Sequence, residues 1–154
     1  MRRDLAERTE DAIVAYLKAT VSGDIRVSAA WEREEPEYPC AVVHCGTESP
    51  VSDDAAWHDA RIMAVQVAVM SEGAPELDDS GNVVRTARER NADARSSVLD
   101  ALCVADLNAQ LVAQAVDSVA FSMAQVGTCE RTVDGVHLVT TINLEVIAEP
   151  VTGS

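Results

Sequence analysis

The run RIMAVQVAVM, residues 61–70, is made of aliphatic and β-branched side chains and carries neither glycine nor proline. It reads as a strand. Side chains alternate between faces along a strand. Met63, Val65, Val67 and Val69 therefore share one face, and Ile62, Ala64, Gln66, Ala68 and Met70 share the other. Both faces are largely apolar, which predicts cover on both. Helices of the same chain would cover one. Either a neighbouring subunit or the same chain would cover the other. Ile62, Ala64, Gln66, Ala68 and Met70 are therefore candidate subunit-interface residues, together with Trp57 in the polar stretch before them. A tryptophan there either anchors a partner or folds back on the sheet.

Upstream of this run, CAVVHC (40–45) is a short strand, and GTESPVSDDAAWHD (46–59) reads as a loop. WEREEPEYP (31–39) is charged and holds two prolines, so it is also a loop. Ile25, Val27, Ala29 and Trp31 alternate with Arg26 and Ser28, as in a half-buried strand. Residues 4–20 form an amphipathic helix, with Leu5, Thr9, Ala12, Ile13, Tyr16, Leu17 and Thr20 on one side. Asp4 and Glu7 have the spacing of a capping box.

Downstream, SEGAPELDDSGN (71–82) reads as an acidic loop. A long helix is expected from Val84 to Cys103, with Ala87, Asn91, Ala94, Val98, Leu99 and Leu102 inward. A second helix is expected from Leu107 to Val116, capped by Asp106. The chain closes in a hairpin. Val119, Phe121 and Met123 point inward, Asp134-Gly135 makes the turn, and Leu138, Thr140, Ile142, Leu144, Val146 and Ala148 alternate along the last strand. A frayed, flexible C-terminal tail is expected from about residue 149. The order α-β-β-β-α-α-β-β predicts one α+β domain over residues 1–154, a mainly antiparallel sheet with helices packed on one face.

Composition narrows the function. Hydrophobic residues are 47% of the chain and aromatics 3%, so aliphatic side chains fill the core and aromatic stacking platforms are disfavoured. The formal charge is −14, with 12 basic and 26 acidic residues. A phosphate-gripping surface needs clustered Lys and Arg, and this sequence has a single Lys, Lys18, with its Arg residues dispersed. Asp4, Glu7, Glu10 and Asp11 interrupt any apolar core of a signal peptide. No window approaches the roughly 20 apolar residues of a membrane helix. No membrane association is therefore expected.

No catalytic set is legible, and no enzymatic role is expected. His44, His58 and His137 lie in a short strand, an acidic loop and a turn, outside any nucleophile-elbow, zincin or phosphate-loop pattern. Cys40 and Cys45 would point to opposite faces of a strand, while Cys103 and Cys129 lack a nearby cysteine partner, so no zinc site is read. Glu76, Asp78, Ser80 and Gly81 imitate part of a calcium loop, but its twelfth position is Ala87, where a bidentate Glu is needed. A solvated turn fits better. No cofactor or metal is expected.

The layout resembles that of the tail-terminator, or tail-completion, proteins of long-tailed bacteriophages. The resemblance is carried by the helix LAERTEDAIVAYLKA, the Tyr-Pro step in PEYPCAVVHC and the strand RIMAVQVAV. The helices ARERNADARSSVLDALC and DLNAQLVAQAV and the closing hairpin CERTVDGVHLVTTINLEVIA complete it. The acidic segment 71–82 has no counterpart in that layout. The resemblance implies a structural virion protein, assembled in the host cytoplasm and located in the tail or neck. It implies a homo-oligomeric ring, typically a hexamer, on the head-proximal end of the tail tube. Its partners would be the tail-tube protein and the neck or head-closure protein, and DNA would pass through without specific binding. On that reading Asp53, Asp54, Glu76, Asp78 and Asp79 would face the lumen and repel DNA. The rival readings are another head–tail connector or head-closure protein, and a monomeric acidic protein-binding module.

Overall fold

A computed structural model describes residues 4–30, 32, 37–51, 60–115 and 119–151. In chain order these form α1 (Leu5–Thr20), β1 (Arg26–Ala29), β2 (Cys40–Pro50), β3 (Arg61–Glu72), β4 (Glu76–Leu77), β5 (Val83–Arg85), α2 (Ala87–Leu102), α3 (Leu107–Gln114), β6 (Val119–Asp134) and β7 (His137–Pro150). The architecture is α+β. The five-stranded sheet has the order β1-β2-β3-β7-β6, and β4 pairs with β5 in a separate hairpin. Strand β3, which holds the run 61–70, is the central strand.

The sheet is mixed. β1 runs parallel to β2, and every other pair in the five-stranded sheet is antiparallel. A parallel pair needs a connection longer than a tight turn, and the charged segment between β1 and β2 supplies the length. The Tyr38–Pro39 peptide just before β2 is cis.

All three helices lie against one face of the sheet. Met63, Val65, Val67 and Val69 of β3 are fully buried there, beside Ala41 and Val43 of β2 and Ile142, Leu144, Val146 and Ala148 of β7. Ile13 and Leu17 of α1, Val98 and Leu102 of α2 and Leu107 and Leu111 of α3 complete one continuous core. At ~25 cal/mol per Å² of apolar surface removed from water, this aliphatic layer is the main stabilising term. Two polar anchors fix the helices over it. The Tyr16 hydroxyl donates to the Ala101 carbonyl, which ties α1 to the end of α2. Buried Asn91 donates to Ser71 Oγ at 3.0 Å and to the Leu138 carbonyl at 3.2 Å, which ties α2 to β3 and β7.

Several expectations change. Among the described residues, helices cover one face of β3, and no helix lies on the other. Gly46–Pro50, read as loop, continues β2 across a bulge between Cys45 and Thr47, because β3 is long enough to pair with it. The acidic segment 71–82 is not all loop, since β3 extends to Glu72 and β4 pairs with β5. Val84 and Arg85 belong to β5, because α2 starts only after Thr86. Thr86 Oγ1 accepts from the Glu89 amide and Glu89 reaches back to the Thr86 amide, a capping box. Asp4 makes no such side-chain cap, so α1 begins through the Asp4 carbonyl bonded to the Arg8 amide. Asp106 likewise precedes α3 without a side-chain cap.

In β6 a bulge between Phe121 and Met123 turns Met123 to the opposite face and Ala124 and Val126 inward. Asp134 pairs with His137, so the two-residue turn is Gly135-Val136, with Gly135 at φ 61°. β7 runs to Pro150, so Glu149 and Pro150 are strand and not tail.

Candidate functional site

The sheet face away from the helices carries half-buried apolar side chains between polar ones. The register across β2, β3, β7 and β6 sets its rows. One end holds Val42, Ala68, Met70 and Val139, and the other holds Ile62, Ile147 and Met123. A polar belt of His44, Gln66, Asn143 and Thr128, with Glu145 and Gln125, separates them. Asn143 donates to Thr128 Oγ1 at 2.9 Å, which fixes the belt across β7 and β6. Cys40 is the one buried residue of this face among the described residues. Ile62, Ala68 and Met70 are half-buried, while Ala64 and Gln66 are exposed. The five β3 residues expected at an interface thus stand together on one face. Trp57 lies outside the described residues.

The expected lumen residues divide. Asp53 and Asp54 lie outside the described residues. Glu76, Asp78 and Asp79 fall on the β4–β5 hairpin, which is strapped to α2. Arg85 bonds Glu76 Oε2 at 2.6 Å and Asp93 Oδ2 at 2.7 Å, and Arg90 bonds the Ala74 carbonyl at 3.0 Å. Asp78 Oδ1 accepts from the amides of Ser80 and Asn82 at 2.9 and 2.8 Å, with Gly81 at φ 83° closing the turn. These amides, that of Asn82 foremost, hold the Asp78 carboxyl below its ordinary value. The Asp78 carboxylate is thus occupied by its own turn. Asp79 is exposed and has no hydrogen-bond partner among the described residues. Leu77, Val83 and Val84 on the same hairpin are more than half exposed.

A second feature was not visible in the sequence. Between α2 and the far end of the β6–β7 hairpin lies an open cavity of about 490 Å³. Arg88, Asn91, Ala92, Arg95, Arg131, Thr132, Val133, Leu138 and Val139 line it. Three arginines from two distant stretches converge there, and none of the lining residues is acidic. None of the three makes an ion pair among the described residues. The helical spacing of Arg88, Ala92 and Arg95 was the available sequence signal. Arg131 could be added only once the strand register was known.

The histidines do not meet. His44 pairs with Gln66 and His137 with Glu72. Six residues along a strand separate these positions by about 20 Å. His44 Nδ1 is 3.5 Å from Glu10 Oε2, and the same oxygen accepts the Cys45 amide at 2.8 Å on the stretch of β2 beyond β1. His137 stacks on Tyr38 with ring centroids 4.5 Å apart. His58 lies outside the described residues. No group of His, Cys, Asp and Glu among the described residues has the arrangement to hold a metal ion. Cys40 and Cys45 take opposite faces of β2 by register. Burial, reinforced by Glu48, Glu10 and Asp4, pushes the Cys45 thiol up to about 12. Among the described residues no single helix is long and apolar enough to cross a membrane.

No family model matches the chain, and no curated protein sequence matches it. Among solved structures, the chain is similar to a component of the "Virion of native gene transfer agent (GTA) particle". The match has 13% identity and a TM-score of 0.49, over 86% of this chain and 84% of that one. A likeness at this level assigns neither family nor function.

Proposed function

We propose that this chain is a structural virion subunit. It assembles with copies of itself into a ring, a hexamer on the tail-terminator reading, at the head-proximal end of a phage-like tail tube. There it stops tube growth and joins the tail to the neck or head. One observation carries the reading: a five-stranded sheet with three helices on one face and, on the other, a face without a helix where half-buried Val42, Ala68, Met70 and Val139 and half-buried Ile62, Ile147 and Met123 flank a polar belt. Apolar side chains grouped on a face that no helix of the described chain covers support a contact with a neighbour.

The charge is consistent with the same role. A conduit for DNA must not grip phosphate, and a chain at −14 repels it over the screened distance of roughly 8–10 Å. Asp53 and Asp54 are the acidic residues this reading would set toward the channel.

The test is co-assembly with the tail-tube protein of the same particle, followed by negative-stain electron microscopy. The expected result is a ring on one end of each tube and a limit on tube length. A chain that stays monomeric beside tubes of unlimited growth overturns the proposal.

A further inference from the structure

We infer that the β4–β5 hairpin of one copy docks into the arginine-lined cavity of the next, a contact that links copies head to tail. The inference rests on the self-assembly reading above and names the contact that would build it.

The two surfaces lie on opposite flanks of the same helix. Residues advance about 100° around a helix axis per position. Asn91, Ala94, Val98 and Leu102 of α2 point to the core. Arg88, Ala92 and Arg95 fall to one side of that stripe, toward Arg131 and Val133 of β6. Arg90, Asp93 and Ser97 fall to the other, toward the hairpin residues Glu76 and Arg85. Two different patches on opposite flanks are the requirement for a heterologous contact, which forms a ring when its rotation closes.

The patches are complementary in charge and in apolar surface. The cavity presents Arg88, Arg95 and Arg131 with no acidic residue in its lining. The hairpin presents Asp78 and Asp79 at its turn. Asp78 is held ionised and in place by the amides of Ser80 and Asn82. Around the charges, Leu77, Val83 and Val84 of the hairpin are 54–57% exposed, and Val133 at the cavity mouth is 73% exposed. The hairpin is rigid where it must be, because Arg85 straps it to Glu76 and Asp93. In a chain with 26 acidic and 12 basic residues, three arginines without a described acidic partner are the natural seat for an acidic segment of another copy. This assigns Asp78 and Asp79 to a subunit boundary and not to a channel wall.

The test uses two full-length charge variants and their mixture. One reverses the cavity, Arg88→Glu with Arg131→Glu. The other reverses the hairpin, Asp78→Asn with Asp79→Lys; asparagine keeps the oxygen that accepts from Ser80 and Asn82. Sedimentation velocity is run at low salt up to several hundred micromolar protein, in the order wild type, each variant, and an equimolar mixture. The expected result is self-association of the wild type that weakens with salt. Each variant alone should associate tenfold to a hundredfold more weakly, on the order expected for lost interfacial charge pairs. The mixture should recover association, since acidic hairpins then meet cationic cavities and cationic hairpins meet acidic cavities. Association unchanged in both variants overturns this contact and leaves self-assembly standing. A mixture that recovers nothing overturns it as well. A wild type that stays monomeric at every concentration overturns this contact, while the assembly reading stands or falls on the co-assembly with the tail-tube protein.

Discussion

Adjacent residues of β3 should respond in opposite ways to substitution, because one faces the helices and the next faces the open side. Val67 is completely buried against the core, and Ala68 stands half-buried on the bare face. Val67→Ala removes two methyl groups at ~0.8 kcal/mol each, about 1.6 kcal/mol of transfer free energy. If the packed layer does not relax, a void of about 50 Å³ adds roughly 1.2 kcal/mol at ~24 cal/mol per Å³. The expected loss is therefore about 1.6–2.8 kcal/mol. With a urea m-value of about 2 kcal/mol/M, the unfolding midpoint should fall by about 0.8–1.4 M. Ala68→Glu touches no core atom, so its stability should stay within about 0.5 kcal/mol of the wild type. In an assembled particle, however, it would place an unpaired charge in a desolvated contact, which costs several kcal/mol. Association should then fall by at least about a hundredfold. Urea titration by circular dichroism at low protein concentration reads the first effect, and sedimentation velocity reads the second. If Ala68→Glu lowers the urea midpoint as far as Val67→Ala, the face is not open in the isolated chain. If Ala68→Glu assembles like the wild type, that face is not the contact surface.

Two further outcomes follow from the local chemistry. At pH 8 a thiol reagent should modify exposed Cys103 and Cys129 quickly and leave Cys40 and Cys45 unmodified until the protein unfolds, since burial raises both of the latter thiols and takes Cys45 to about 12; four thiols reacting at one rate would contradict the packing of β2. The Asp78 carboxyl is depressed by the amides it accepts, so its hold on the turn is fully present above the unfolded value of about 3.9 and is lost as pH falls through the lower folded value. The protection of the Ser80 and Asn82 amides, measured against the intrinsic exchange rate at each pH, should fall across that acid range, and Asp78→Ala should abolish that fall.

Most of the fold was legible because its signals are short-range. The alternation of β3 and β7, the 3.6-residue stripes of α1 and α2 and the Gly135 turn are each written within a few neighbouring residues. What was missed depends on pairing across the chain. Gly46–Pro50 looks like loop because glycine, serine and proline dominate it, yet β3 offers a partner along its whole length and pairing wins over propensity. The bulge between Phe121 and Met123 cannot be read from β6 alone, since it exists only relative to β7. The parallel pairing of β1 with β2 was hidden for the same reason.

The site follows the same division, and its hidden half bears on how the acidity should be understood. Ile62, Ala64, Gln66, Ala68 and Met70 could be grouped on one sheet face because one strand's period places them together. The arginine cavity was not, because Arg88 and Arg95 join Arg131 only through the packing of α2 on the β6–β7 hairpin. Read as a sequence, the arginines are dispersed and the charge of −14 is a uniform repulsion. Folded, the same residues separate into an acidic hairpin on one flank of α2 and a cationic recess on the other. Net charge opposes bringing copies together at long range, and it is screened beyond about 10 Å. Local charge then decides which flank can meet which. Like flanks repel, acidic against acidic and cationic against cationic, while unlike flanks attract. A contact of either patch with its own copy is therefore disfavoured, and the pairing that local charge favours is hairpin with cavity, as proposed above. That preference arises from where the arginines are placed rather than from how many there are.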